Sequence, residues 1–184
     1  MIRQDAGMDW LADGLGLDYD ALLLVRTTPA WVDAGDRLRR EVSDRLEGFA
    51  AGVEQMGSSS VQGLLAKPIV DLAIGLTAGQ ELAPVRERLE SVGWIYRGDA
   101  GADGGHVFVL ESAPRHRVAH AHVVEHLGEQ WRNYLRLRDL LRRSAGARQR
   151  YEETKLRLVN DVVDDRAAYT EGKTQIVASL LEEA

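Results

Sequence analysis

The sequence predicts an α+β fold: a mixed β-sheet with helices packed on it, followed by a helical C-terminal third. Short apolar runs typical of buried strands alternate with helical segments up to about residue 128. Beyond that point, apolar residues recur with the helical period almost to the end of the chain. We expect a single domain over residues 21–184, since a chain of this length can bury a sizeable core.

Ten elements are predicted in chain order, after an acidic, glycine-containing lead at residues 1–20 that has the composition of a poorly ordered segment. Thr28 can cap the first helix, with Pro29 in its first turn, and Thr77 can cap the second. A glycine-rich loop is expected at residues 98–105. The predicted strands are 21–25, 53–56, 69–76, 106–111 and 117–124, and the predicted helices are 29–51, 77–92, 129–143, 147–163 and 165–181.

Composition excludes several classes of function. The chain has no cysteine, so disulfides, thiol catalysis and Cys-based metal sites are excluded. No apolar run reaches membrane-spanning length and no leader is visible, so we expect no membrane association and a cytoplasmic location. A net charge of -6 argues weakly against general nucleic-acid binding.

The charge is unevenly distributed along the chain. Residues 1–54 carry eleven acids and six bases, whereas residues 131–158 carry nine Arg or Lys and three acids. A basic helical region can attract an anionic ligand, although such runs are more often solvated helix faces.

A polar turn at residues 57–60, Gly-Ser-Ser-Ser, is predicted to open a helix, and a buried apolar strand that carries Asp71 is predicted to follow it. Backbone amides of such a turn, especially one that opens a helix, suit the phosphates of a nucleotide. A carboxylate on the following strand suits a Mg²⁺ carried by those phosphates. Nucleotidyltransferase-type sites normally have a second carboxylate two residues later, and this position is Ala73.

Residues 55–72 read Gln-Met-Gly-Ser-Ser-Ser-Val-Gln-Gly-Leu-Leu-Ala-Lys-Pro-Ile-Val-Asp-Leu. This segment resembles the GrpB-family signature, approximately His-Ile-Gly-Ser-Thr-Ser-Val-Pro-Gly-Leu-x-Ala-Lys-Pro-Ile-Ile-Asp-Ile. Gln55 and Gln62 depart from it, removing a titratable group and a rigid turn. Later matches in the same order are His-Ala-His-Val at 120–123, Leu-Arg-Asp-Leu-Leu-Arg at 137–142, and the pairs Tyr151 with Lys155 and Tyr169 with Lys173.

The resemblance implies a nucleotidyltransferase-like fold that binds a nucleotide or another phosphorylated small molecule. A role in the folding of a fused enzyme has been proposed for some family members. The expected phosphate contacts are Gly57, Ser58, Ser59, Ser60, Lys67, Arg138, Arg142, Lys155 and Lys173, with Asp71 holding Mg²⁺. Lysines at the edge of an apolar helix face can also simply reach past an aromatic neighbour to water.

Arg138 is the most unusual basic residue of the C-terminal third. On a helical wheel it falls in the middle of the apolar arc of its helix, and Arg142 falls within the same arc. A guanidinium directed at the core needs an acid, carbonyls or a bound anion. Two interpretations stay open, a buried ion pair with Asp71, Asp139 or Glu125, and a phosphate contact. The apolar arc consists of Trp131, Tyr134, Leu135, Leu137 and Leu141.

His120 and His122 lie two residues apart on a predicted strand, so both imidazoles face the same side. Together with His126 and Asp71 they could form a metal site or a general acid/base pair. The serines of the 57–60 turn lack a Gly-x-Ser-x-Gly motif and an evident His/Asp order, so phosphate contact is favoured over nucleophilic catalysis.

Three functional hypotheses follow. The first is a nucleotidyl or phosphoryl transferase with Mg²⁺, in which Asp71, His120 and His122 are the catalytic candidates. The second is a catalytically silent binding or folding-partner module, favoured by Ala73. The third is other transfer or condensation chemistry on the same scaffold.

Overall fold

A computed structural model describes residues 9–10, 13–101, 104–161 and 166–184, without the side chains of residues 161 and 166–171. The strands are β1 (Leu17–Asp18), β2 (Val25–Arg26), β3 (Gly52–Met56), β4 (Leu65–Ala66), β5 (Val70–Leu76), β6 (Trp94–Asp99), β7 (His106–Ala113) and β8 (His116–Glu125). The helices are α1 (Pro29–Arg45), α2 (Ala83–Glu90), α3 (Glu129–Arg143), α4 (Ala145–Asp161) and α5 (Arg166–Leu181). This confirms the predicted α+β class.

The main sheet is mixed, as predicted. Its strand order is β3-β5-β8-β7-β6, and β1 pairs with the beginning of β8. The two central strands, β5 and β8, run parallel, while the β3–β5, β7–β8 and β6–β7 pairs are antiparallel. A separate two-stranded ribbon joins β2 and β4. Parallel central strands place the carboxylate of β5 beside the histidines of β8.

Helices α1 and α2 cover one face of the sheet and form the largest apolar core. Trp31, Leu38 and Val42 recur at helical spacing on α1 and pack against buried side chains of β5 such as Leu72 and Ile74. Helix α3 covers part of the opposite face, where Trp131 packs with Met56 and other buried residues. A third cluster joins α3, α4 and α5 to the segment after the serine turn.

Two helix boundaries differ from the prediction by more than two residues. Helix α1 ends at Arg45 and not at residue 51, because Gly48 adopts a φ of 76° that is incompatible with a continuing helix. Helix α2 begins at Ala83 and not at Thr77. Residues 77–80 instead form a turn, in which the Gln80 amide N–H donates to the Thr77 carbonyl at 2.9 Å. The first turn of α2 contains a proline that is compatible with a helix start at that point.

The structure also contains strands that the sequence reading missed. Strand β6 forms the edge of the sheet, and its alternating Trp94 and Tyr96 were the signal that could have revealed it. Within the lead at residues 1–20, Leu17 pairs with Arg117 of β8, and both Leu15 and Leu17 are buried. Residues 1–8 and 11–12 lie outside the described part of the chain. The strand predicted at 21–25 is reduced to the two residues of β2.

The C-terminal third is helical, as predicted, and α4 is tied to the β2–β4 ribbon by Glu152. Its carboxylate accepts a hydrogen bond from the Leu65 amide at 2.8 Å and pairs with Arg26 at 2.7 Å.

None of the helices in the described ranges is both long and apolar enough to cross a membrane.

Gln55 is expected to be a net cost to stability. It is 5% exposed, packs against Gly35 of α1, and its buried Nε2 has no hydrogen-bond partner in the described structure. An unmade buried hydrogen bond costs about 1–3 kcal/mol. We expect Gln55→Met, which keeps the volume, to leave the melting temperature unchanged or raise it. Gln80→Met is the matched control and should lower it, because Gln80 donates to the Phe49 carbonyl at 2.6 Å. A clear fall in the melting temperature of Gln55→Met, measured by thermal denaturation, would contradict the expected cost of Gln55.

Candidate functional site

The turn after β3 depends on a glycine. Gly57 has φ 73° and ψ -178°, a region in which side chains are strongly disfavoured. A single 3₁₀ turn, Ser58–Ser60, follows it. Ser60 closes the turn, because its amide and its hydroxyl donate to the Gly57 carbonyl at 3.3 Å and 2.7 Å.

The turn does not open a helix, which corrects one expectation. After Ser60 the backbone becomes extended at Val61 and runs into β4. The turn itself therefore does not contribute the dipole of a following α-helix. An anion here would depend on individual amide groups and on nearby cationic side chains.

Asp71 lies against the same glycine. A Cβ on Gly57 would come within 2.5 Å of Asp71 Oδ2, so any larger residue would displace the carboxylate. Asp71 Oδ1 is 3.5 Å from His120 Nδ1. Burial raises the pKa of Asp71, but the His120 hydrogen bond and charge, with Lys173 and His122, outweigh it and hold that pKa below its usual value. Asp71 is thus a carboxylate at neutral pH.

His120 and His122 lie in register with Asp71 and Ala73 on the parallel neighbour strand, and all four side chains share one face. His120 lines the cleft described below. His122 sits further in, with its Nδ1 2.9 Å from the Gly104 carbonyl and its ring edge-on to that of Tyr134. Burial lowers the pKa of His122 below its ordinary value, against the Gly104 hydrogen bond and the Asp71 charge.

The position expected for a second carboxylate lies in mainly apolar surroundings. Ala73 is fully buried, in a cluster with Met56, Val124 and Trp131 of α3. His126 does not join Asp71 either, because its ring packs 4.9 Å from that of Trp131 and against Gly75 near the end of β5. The alternative that grouped His126 with the other two histidines is therefore wrong.

A cleft of about 140 Å³ gathers most of the predicted residues. Three lysines, Lys67, Lys155 and Lys173, line it together with a single carboxylate, that of Asp71. Its apolar wall was not anticipated from the sequence. The full lining is Leu24, Ser58, Ser59, Ala66, Lys67, Ile69, Asp71, His120, Lys155 and Lys173.

Lys155 is the most buried of the charged residues in the cleft, at 2% exposed. Its ammonium Nζ donates to the Leu65 carbonyl, lies 3.4 Å from Ser58 Oγ, and sits 4.3 Å above the centre of the Tyr151 ring. Burial, reinforced by the charge of Lys173 and opposed by that of Glu152, lowers the pKa of Lys155 to about 7. Its protonation therefore changes near neutral pH.

Arg138 and Arg142 do not line the cleft, and they contact backbone carbonyls on either side of the serine turn. Arg138 pairs with Glu54 at 2.9 Å and Asp139 at 2.8 Å, and also donates to the Gln55 carbonyl. Of the two interpretations, the structure therefore shows the internal ion pair, with Glu54 as a partner that the sequence did not suggest. Arg142 donates to the Ser60 carbonyl at 3.0 Å. Burial lowers the pKa of Arg138, but its hydrogen bonds to Asp139 and Glu54 raise that pKa above its ordinary value.

A larger cavity, about 490 Å³, opens at the other end of the sheet. It is lined by apolar side chains, by neutral polar groups such as those of Thr77 and Gln80, and by the carboxylates of Glu125 and Glu129. The smaller cleft is the better candidate, because it places a carboxylate and an imidazole beside three lysine side chains, whereas the described lining of the larger cavity contains no lysine or arginine.

The family profile described as GrpB protein matches residues 21–183. The chain belongs to the GrpB family. Glutamate-rich protein GrpB of Alkalihalophilus pseudofirmus is 27% identical over 92% of this chain and 99% of its own length. A UPF0157 protein of Streptomyces coelicolor is 32% identical over 97% of this chain and 87% of its own. The resemblance in the 55–72 signature is thus confirmed at the level of the family.

Solved structures confirm the fold. The crystal structure of GrpB from Enterococcus faecalis has a TM-score of 0.73 and 24% identity, covering 88% of this chain and 98% of that one. Cid1 poly(U) polymerase, described as Mg 3'-dATP bound, has a TM-score of 0.53 and 13% identity, covering 80% of this chain and 49% of that one. The present chain therefore has a nucleotidyltransferase-like fold.

Gly57→Ala tests the contact between Gly57 and Asp71. We expect a loss of stability of about 1–3 kcal/mol from the backbone conformation, with an added cost from the clash. Gly63→Ala is the comparison, since Gly63 also has a positive φ, 77°, but a Cβ there meets nothing within 4 Å. Asp71→Ala should recover the clash part in a double-mutant cycle measured by chemical denaturation. Strict additivity of Gly57→Ala and Asp71→Ala would contradict the contact.

Arg138→Met tests the internal ion pair. We expect a destabilisation of about 1–3 kcal/mol, below the value for a fully buried pair, because Glu54 and Asp139 stay partly hydrated. Arg138→Lys should recover part of it. Arg143→Met, an exposed change on the same helix, should be nearly neutral in the same denaturation assay. If both Met variants melt at the wild-type temperature, the ion pair has no structural role.

Proposed function

We propose that the cleft binds the phosphate groups of a nucleotide or another phosphorylated small molecule. The observation that carries this proposal is the excess of cationic side chains among the described residues of the cleft: Lys67 and Lys173, joined by Lys155 when it is protonated, against the single carboxylate of Asp71. The ammonium groups outnumber the carboxylate, so the net charge of the described lining is positive. Anions are attracted to such a concave site.

Polar groups of the turn support the proposal. Ser59 lines the cleft, is 1% exposed, and its buried Oγ lacks a hydrogen-bond partner in the described structure. A phosphate oxygen would satisfy this hydroxyl. The amide groups of Ser58 and Ser59 donate to no other described residue, so they are available to the same oxygen. Lys67 and Lys173 would supply the opposing charges.

Family and fold agree with this ligand class without specifying it. The nucleotidyltransferase-like fold includes a polymerase described with bound 3'-dATP. In a transfer reaction, His120 would be the base nearest the ligand, oriented by Asp71. His122 would act only through His120, since it does not line the cleft. Arg138 and Arg142 would hold the turn in place.

Mg²⁺ would fit this site only as part of a metal–phosphate complex. The cleft supplies one carboxylate, and Mg²⁺ is usually bound through one or two carboxylates together with ligand phosphates and water. Asp71 would be its protein ligand. The metal would neutralise charge on the phosphates.

A catalytically silent binding module is the second candidate. Burial of Ala73 under Trp131 favours it, because two-metal transfer requires carboxylates that bridge the ions. Binding without turnover would distinguish it from a transferase. A cytoplasmic location stays a prediction from the sequence.

Titration of the protein with tripolyphosphate and ATP tests the proposed ligand class. Both should raise the melting temperature in a dose-dependent way, because ligand binding stabilises the folded state. Lys67→Gln and Lys173→Gln should each weaken binding by roughly 10- to 100-fold, since a hydrogen bond to a charged group contributes about 1.5–3 kcal/mol. Arg143→Gln removes the same charge outside the cleft and should have little effect.

Asp71→Asn separates the metal from the anion in the same titration. Without Mg²⁺ it should strengthen ATP binding, because a negative charge leaves the cleft. With Mg²⁺ it should remove any additional stabilisation that the metal gives to the wild type. Melting temperatures that do not respond to tripolyphosphate or ATP at millimolar concentration would overturn the proposed function.

A further inference from the structure

Ser58 lies between two side chains of α4. Its Oγ is 3.4 Å from Lys155 Nζ and 3.4 Å from the Tyr151 hydroxyl. Ser58 also lines the cleft, so a small molecule there can reach its hydroxyl. Serine hydroxyls become nucleophilic when a base lies within hydrogen-bonding reach, and such distances are commonly long when no ligand is bound.

Lys155 has the surroundings of a base. No carboxylate within the described residues forms an ion pair with its Nζ, whose neighbours are the Leu65 carbonyl, Ser58 Oγ and the Tyr151 ring. The nearby acid, Glu152, pairs with Arg26 and accepts from the Leu65 amide. A buried ammonium without an acid partner is unfavourable.

The charges around Lys155 also favour its neutral amine. Lys173 of α5 adds a like charge, and Glu152 of α4 opposes it. Lys67, Asp71 and His120 face the same cleft from the sheet side, with Asp71 held by His120. Desolvation next to a second cationic group is an established way to produce a neutral, reactive lysine.

The neighbouring serines are not equivalent to Ser58. The Ser60 hydroxyl donates to the Gly57 carbonyl, which keeps it within the turn. The Ser59 hydroxyl is buried and makes no hydrogen bond in the described structure. Of the three, Ser58 is the one whose hydroxyl contacts an amine.

We propose that Ser58 is a nucleophile with Lys155 as its general base, and that this pair accepts an acyl group from a small activated ester or thioester. Ser–Lys pairs perform acyl transfer on other folds. This activity goes beyond phosphate binding and needs neither the phosphate nor a metal ion.

The step balances with the groups present. Ser58 Oγ attacks the acyl carbon while its proton moves to Lys155 Nζ. The bond from that carbon to the leaving alkoxide or thiolate breaks, and Lys155 returns the proton to the leaving group. The products are acyl-Ser58, a free alcohol or thiol, and a neutral amine. The Ser58 and Ser59 amides would stabilise the oxyanion, and the Tyr151 hydroxyl, which accepts from Ser58 Oγ in the structure, would help to orient it.

The test uses p-nitrophenyl acetate with the full chain, following p-nitrophenolate release and mapping the acetyl group by peptide mass spectrometry. We expect one equivalent of acetyl on Ser58, at a rate at least 100-fold above that of exposed Ser91, which is the internal background. Ser58→Ala should abolish this label. Lys155→Met should slow it about 10²-fold, the usual contribution of a general base.

Lys155→Arg separates proton transfer from charge. Arginine keeps the cation but does not act as a base, so labelling should remain slow. Tyr151→Phe should slow labelling less than either Lys155 variant. Labelling of the wild type should increase with pH through a midpoint near 7, because burial lowers the pKa of Lys155 to about 7 and the neutral amine is the active form.

Four outcomes would overturn the proposal: acetyl on Lys155 in place of Ser58, equal labelling of Ser58 and Ser91, wild-type rates in Lys155→Met, or full labelling in Lys155→Arg. Circular dichroism and melting curves establish that each variant is folded. Tripolyphosphate binding is measured in parallel, so that loss of acylation is distinguished from loss of the phosphate site.

Discussion

The candidate site depends on the contact between Gly57 and the carboxylate of Asp71. Because a Cβ at position 57 would come within 2.5 Å of that carboxylate, glycine lets the turn pass directly over β5. The turn then presents Ser58 and Ser59 to the same cleft as Asp71. Arg138 and Arg142 hold it from behind, through the carbonyls of Gln55 and Ser60. A rigid backbone of this kind is what a preorganised anion site requires.

Two cationic side chains beside this turn illustrate different physical solutions to burial. Arg138 stays charged, because guanidinium is not deprotonated in proteins and two carboxylates pair with it. Lys155 lacks such a pair within the described residues, and its pKa falls to about 7 as a result of burial. The first residue therefore contributes to architecture, while the second is available for chemistry.

The fold of this molecule does not determine the chemistry of its cleft. The fold is that of a nucleotidyltransferase-like protein. Around Ala73, however, Met56, Val124 and Trp131 form an apolar cluster. A scaffold can retain the geometry for phosphates while its reaction changes or disappears. For this reason the functional proposals rest on the side chains in the cleft and not on the fold.

Local periodicity and short motifs in the sequence determined which side chains face the candidate site or the core. The period of two along a strand placed His120 and His122 on one face, and the helical period showed that Arg138 points inward. The Gly57 turn and Asp71 were also recognisable, because their roles depend on residue type and short spacing.

Only the tertiary structure established which distant groups meet. Ser58 and Lys155 are separated by 97 positions, and Arg138 and Glu54 by 84. Gln55 packs against Gly35, and an apolar wall formed where β4 joins the cleft. Sequence periodicity reports the direction of a side chain relative to its own helix or strand. The partner that it meets, and hence its pKa and its chemistry, depend on how those elements pack together.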